Sequence, residues 1–145
     1  MKNQHTSYSI LDLALVSDGN SLKQTYNDAL KLAQQAEKFG YTRYWLAEHH
    51  NAPNIASSAT SILIGYVAQG TTKLRIGSGG IMLPNHSPLL VAEQFGTLGS
   101  LYPNRIDLGL GRAPGTDGET AKAIRSDFME AAHSFPNEID KIQKY

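Results

Sequence analysis

Three short stretches of this sequence carry residue types that do chemistry, and each follows an apolar run. The first, WLAEHHNAP over residues 45–53, sets the carboxylate of Glu48 beside the imidazoles of His49 and His50. An imidazole titrates near neutrality, so one of these histidines can hold or move a proton for a reacting group. The second, GSGG over residues 77–80, has too many glycines for a comfortable strand end. Glycine there serves either a plain tight turn or the close approach of a flat ligand. The third, GLGRAPG over residues 109–115, sets Arg112 among exposed amides, as in an anion or phosphate clamp. Arg112 can equally pair with Asp117 or Glu119.

Metal ligation is the weaker reading of the first stretch, and no metal is expected. EHH is not HExxH, adjacent residues at a strand end point in opposite directions, and His86 in PNHSP is the only loop histidine placed to help. The alternative to proton transfer is structural: Glu48, His49 and His50 then cap the strand and satisfy loop amides.

These stretches need elements to position them. The run ILDLALV (10–16) reads as a strand interrupted by Asp12, with SDGNS as the loop behind it. Residues 22–39 have helical spacing, with Tyr26, Ala29, Leu32, Ala33, Ala36 and Phe39 on one stripe. Ser21 can cap its start and Gly40 can close its end in the left-handed conformation. The pattern recurs: a strand over 41–47, a helix over 58–68 with Ala59, Ile62, Leu63, Tyr66 and Val67 inward, and a strand over 73–77. SPLLVAEQFGTLGSLY supplies the next helix, with Ser87 as cap and Pro88 at the first helical position, where its missing N–H costs nothing. A fourth strand over 105–110, a helix over 119–132 and the beginning of another over 138–145 complete the chain.

Strands that start about 32 residues apart imply consecutive βα units, a parallel sheet and right-handed crossovers. Both a doubly wound sheet and a (β/α)8 barrel accept this pattern. In either, functional groups gather in the loops after the strands' carboxyl ends, and here those loops are SDGNS, EHHNAPN, GSGGIMLPNHSP and GRAPGTDG. The first lacks G-x-G-x-x-G and the last lacks the Lys-Ser or Lys-Thr of a P-loop, so neither nucleotide fingerprint is present.

Composition excludes several classes. Lysine and arginine total 13 against 13 aspartates and glutamates, with no long run of either sign, so nucleic acid and acidic lipid are poor partners. Cysteine is absent, which removes disulfides and thiolate metal sites. MKNQHTSYS lacks an apolar signal core and no apolar run is long enough to span a membrane, so a cytoplasmic protein is expected.

Taken in order, LDLALV, YWLAEHHN, LRIGSGGIMLPNHSPLLVAEQF and RIDLGLGRAPGTD resemble the N-terminal half of the bacterial luciferase-like flavin-dependent monooxygenases, in the alkanal-monooxygenase-like branch. The resemblance covers residues 8–145. It implies a (β/α)8 barrel of the TIM type that binds FMN, reduced by a separate flavin reductase, and that oxidises a small organic substrate with oxygen. It also implies roles for particular residues: His49 as catalytic, and Ser78, Gly79 and Gly80 as the cofactor-binding stretch, with a cis peptide between the two glycines beneath the flavin ring. Arg112 is implied near the flavin phosphate. The reactive cysteine of the luciferases would fall at Gly111, so aldehyde oxidation and light emission do not carry over.

An eight-unit barrel takes typically about 250 residues, so 145 residues are expected to be its first four βα units, with strands five to eight absent. A half barrel exposes two strand edges and one sheet face, and homo-oligomerisation through them is expected. The competing reading is a non-catalytic fragment or assembly module that associates through those open edges.

Overall fold

The computed structural model describes residues 6–145. Part of the N-terminal segment read above for a leader lies outside the described residues. Four strands, β1 (Ser9–Asp12), β2 (Arg43–Leu46), β3 (Arg75–Met82) and β4 (Ile106–Gly111), form one sheet in the order β1-β2-β3-β4, every neighbouring pair parallel. Helices α1 (Leu22–Lys38), α2 (Thr60–Gln69) and α3 (Pro88–Leu101) make the crossovers. Among the described residues no strand is inserted between the first and second, as consecutive units of a barrel require.

The two faces of the sheet differ. Ile10, Tyr44, Leu46, Ile76 and Leu108 alternate onto the face beneath the helices, where Ile64, Val67, Leu74 and Phe95 complete the core. Each fully buried aliphatic or aromatic side chain there contributes about 1.5–3 kcal/mol. The opposite face carries Leu11, Arg43, Trp45, Arg75, Gly77, Asp107 and Gly109, and Leu11 on it is 56% exposed. Asp107 accepts from both Arg43 Nε (3.0 Å) and Arg75 Nε (2.9 Å), tying three strands together near their amino ends.

Several expectations need correction. The first strand stops at Asp12 rather than 16, because Asp12 Oδ1 accepts the Ala14 amide (2.8 Å) and Ala14 turns to a φ of 50°. The buried stripe of α1 is Thr25, Ala29, Ala33 and Ala36, whereas Leu32 and Phe39 are exposed; small residues let the helix approach its neighbours, and the larger ones flank the contact. In α2, Ile62 and Tyr66 face out while Leu63, Ile64 and Val67 face in. That helix is apolar nearly all round, so periodicity could not select its face. GSGG lies within β3, because pairing with β4 resumes at Ile81–Leu110 beyond an irregularity after Ser78.

The helix expected over 119–132 is broken into α4 (Gly118–Ile124) and α5 (Phe128–His133), followed by α6 (Phe135–Ile142). Arg125 sits at the break in an extended conformation, its guanidinium on Asp127 and on the carbonyls of Pro84 and His86. Ser21 caps α1 by accepting from Gln24 N, and Gly40 follows with a φ of 77°, as expected. Ser87 is the first-cap residue of α3, but its side chain makes no capping hydrogen bond.

Candidate functional site

The carboxyl ends of β2, β3 and β4 meet at a single buried carboxylate. Glu48 is 1% exposed. Its Oε1 accepts from His50 Nε2 at 2.7 Å and His86 Nε2 at 2.8 Å, and its Oε2 accepts from the Met82 amide at 3.1 Å. Burial pushes this carboxyl upward, but hydrogen bonds from His86 and His50, the His86 charge and the Met82 N–H outweigh it, so Glu48 stays below the usual carboxylate range. An ionised Glu48 only accepts, so both imidazoles present Nε2–H to it.

The loops are also joined through their backbones. The His50 amide donates to Gly115 O (3.0 Å), Thr116 Oγ1 donates to His50 O (2.9 Å), and Asn85 Nδ2 donates to Pro114 O (2.8 Å). Gly115 has a φ of +65°, and a Cβ there would stand 2.7 Å from Glu48 O, so both conformation and space call for glycine. The result is a fixed rim built by three loops.

His49 lies between two residues that turn the same way, and it is left out of this network. Its Nδ1 is buried with no hydrogen-bond partner among the described residues. One imidazole is therefore separated from the other two, in line with the opposite directions of adjacent side chains. Below it, β2 and β3 pair as Trp45↔Gly77 and Leu46↔Ser78, which brings the EHH segment alongside Gly79 and Gly80. The Gly79–Gly80 peptide is cis, the geometry that the resemblance implies for this pair.

On the sheet face beside this rim, Gly77 is buried against Trp45 and Asp107, whereas Gly79 is exposed. A Cβ on Gly77 would come within 2.7 Å of Trp45 Cζ3 and 2.5 Å of Asp107 O, and one on Gly79 would come within 2.9 Å of Trp45 Cβ and 3.0 Å of Leu11 Cδ1. Ser78 points the other way: its hydroxyl is fully buried, donates to Gly109 O (2.8 Å) and accepts from Gly109 N (3.1 Å). Arg112 is exposed and makes no ion pair among the described residues, while Asp117, its suggested partner, caps α4 by accepting from Glu119 N and Thr120 N. At Gly111, Met82 Sδ lies 2.7 Å from where a Cβ would stand, so Met82 fills the space of a side chain there.

His49, Ser78, Gly79, Gly80 and Arg112 all lie toward the carboxyl ends of the strands, although the Ser78 hydroxyl is buried against Gly109 and does not reach the open face. Sequence reasoning missed Glu48 as the centre of the rim and His86 and Asn85 as its partners. Their signal was a carboxylate in an apolar strand end and polar side chains in PNHSP, two stretches that only the parallel pairing brings together. Asp107, alone in the apolar run IDLGL, was a similar signal.

The chain matches the family described as luciferase-like monooxygenase over residues 6–134. It is 55% identical over 142 residues to a luciferase-like monooxygenase of Escherichia coli (strain K12), with 98% of this chain and 42% of that protein covered. It is 42% identical over 137 residues to the N-acetyl-S-alkylcysteine monooxygenase of Bacillus subtilis (strain 168), covering 94% and 41%. Among solved structures, apo-MsnO8 superposes with a TM-score of 0.90 at 37% identity, over 96% of this chain and 42% of the other. Two more distant structures share the fold. One is the FMN complex of the oxygenating constituent of 3,6-diketocamphane monooxygenase from Pseudomonas putida, with a TM-score of 0.69 at 23% identity over 83% and 32% of the two chains. The other is the coenzyme F420-dependent tetrahydromethanopterin reductase of Methanopyrus kandleri, with a TM-score of 0.61 at 20% identity over 81% and 29%. The chain thus spans about 42% of the length of the first relatives it matches, and its four βα units correspond to half of a TIM-type barrel.

Proposed function

The chain belongs to the luciferase-like monooxygenase family, and from that premise we propose that, in a protein of its relatives' full length, it forms one wall of an FMN site at which a small organic substrate is oxidised by oxygen. The observation that carries this reading is the pairing of an exposed main-chain floor at Gly79 with the buried Nδ1 of His49 at its rim, which has no partner among the described residues. A flat ring needs such a floor, and a proton-transfer step needs such a nitrogen. The residues present therefore fit a flavin. Bound there in reduced form, supplied by a separate reductase, it would bring the electrons and activate oxygen.

The chain's own residues have narrower tasks. Gly79 and Gly80 present main chain to the ring, and Ser78 holds that main chain against β4 through Gly109. Arg112, exposed at the mouth, neutralises the cofactor's phosphate. His49 holds or moves one proton at Nδ1, while Glu48, through His50 and His86, keeps the rim rigid and excludes water. Gly111 offers no nucleophile, which separates this site from aldehyde chemistry that depends on a cysteine there. The monooxygenase relatives support a small-molecule substrate; the N-acetyl-S-alkylcysteine monooxygenase of B. subtilis makes a thioether a reasonable first compound to assay.

Replacing His49 by alanine in the full-length protein should lower flavin-dependent oxygen consumption about one hundredfold, with flavin affinity nearly unchanged. Equal rates in variant and parent would reduce His49 to a structural residue. A second reading, a non-catalytic module that associates through its open face, is favoured by the 56% exposure of Leu11 on the sheet face opposite the helices.

A further inference from the structure

We propose that Glu48, His50 and His86 form a binding site for a divalent transition-metal ion of the zinc class, in which one ion replaces the two imidazole-to-carboxylate hydrogen bonds and clasps the loops after β2 and β3. One ligand atom from each residue converges, all within 4.8 Å of one another. Two imidazole nitrogens and one carboxylate oxygen are the donor set of three-ligand zinc sites, and the absence of cysteine directs selectivity toward metals that prefer nitrogen and oxygen.

The geometry is close to what an ion needs. Bonds of about 2.0–2.1 Å to a tetrahedral ion set its ligand atoms roughly 3.3 Å apart. The present Nε2 to Oε1 separations are 2.7 and 2.8 Å, so each ring must withdraw by about half an ångström. Both rings have the freedom to do so, because their side chains are 20% and 32% exposed while the carboxylate is fixed by the Met82 amide. Ligation also needs lone pairs at both Nε2 atoms, with the protons moved to Nδ1. Neither Nδ1 of His50 nor that of His86 is buried without a partner, in contrast to His49, so water can take the hydrogen bond after the tautomer changes. No net proton is lost from neutral rings.

Access and charge favour the ion as well. A groove of about 430 Å³ lined by Asn85, His86, Ser87, Arg125 and Glu138 opens beside His86. The cations on its wall are already paired, Arg125 with Asp127 at 2.8 Å and Lys141 with Glu138 at 2.6 Å, and among the described residues no lysine or arginine pairs with Glu48. The proposal goes beyond the flavin reading, since the ion would sit on the rim and not on the glycine floor.

Isothermal calorimetry of Zn²⁺ into the metal-free 145-residue chain, without flavin, tests it. The expected result is one ion per chain with a dissociation constant below about 10 μM, and no heat with Mg²⁺, which prefers oxygen ligands. His50→Ala and His86→Ala should each weaken binding at least about tenfold, and both variants retain the Met82 amide contact that anchors Glu48. His133→Ala, which removes a histidine on α5 outside the cluster, should change nothing. Absence of binding at 100-fold higher ion concentration, or binding that survives both rim substitutions, would overturn the proposal. Because no flavin enters the assay, either result leaves the flavin reading standing or falling separately.

Discussion

Glu48→Ala removes the acceptor on which three loops depend. Two imidazole N–H groups and the Met82 amide lose their partner together. A hydrogen bond to an ionised group contributes about 1.5–3 kcal/mol, which for three gives an upper limit near 9. Two corrections lower it: the imidazoles are partly exposed and can turn to water, and the variant no longer buries a carboxylate, whose desolvation costs several kcal/mol. The net loss should be about 3 kcal/mol, concentrated on the Met82 amide and the cavity left behind. With a urea slope of about 1.5 kcal/mol per molar, the unfolding midpoint falls by roughly 2 M. Glu48→Gln keeps one acceptor oxygen and most of the volume, so it should lose about half as much. Urea titration followed by tryptophan fluorescence is a suitable assay, since Trp45 lies on β2, the strand that leads into Glu48. A loss under about 1 kcal/mol for Glu48→Ala would show that the rim is held by the backbone contacts of His50 and Asn85 instead, and the central role assigned to Glu48 would be wrong.

Three further outcomes follow from the same structure. Gly109→Ala places a Cβ 2.3 Å from the Ser78 carbonyl oxygen, a backbone atom that cannot step aside, and should cost about 2–3 kcal/mol in the same titration; a cost below 0.5 would mean that β3 and β4 separate freely. The Arg75 guanidinium, with Arg43 behind it, holds the Asp107 carboxyl below its usual 3.8 despite partial burial. Its stabilisation is therefore complete above that ordinary value and lost as pH falls through the depressed one, so Asp107→Asn should flatten the acid limb of a stability–pH curve and leave the neutral region's slope unchanged. Sedimentation across a dilution series should reveal a dimer or larger species, because Leu11 and the edges of β1 and β4 are open; a compact monomer that unfolds cooperatively would reject this.

The strand order and the crossovers were legible because a repeated apolar run, cap and helix stripe reports each βα unit locally. What local pattern could not report was which face a uniformly apolar helix turns inward, as at Ile62 and Ile64, or that a strand continues through four residues as flexible as GSGG. The break at Arg125 was equally invisible, since nothing near it in sequence shows that its guanidinium is needed at the carbonyls of Pro84 and His86. At the site, residue types announced His49 and Arg112. The partnership of Glu48 with His86 spans 38 positions and exists only once β2 and β3 lie side by side.

The central claim is that this chain supplies one wall of an FMN site and that the second half of the barrel must supply the other. Calorimetric titration of FMN, oxidised and then anaerobically reduced, into the 145-residue chain and into a protein of its relatives' full length measures this directly, with a deazaflavin of the F420 type as the competing ligand. The account predicts a dissociation constant above about 10 μM for the short chain, equivalent to less than roughly 7 kcal/mol, and much tighter binding of reduced FMN by the long one, in preference to the deazaflavin. Submicromolar FMN binding by the short chain, or a long protein that ignores FMN and takes the deazaflavin, would contradict it.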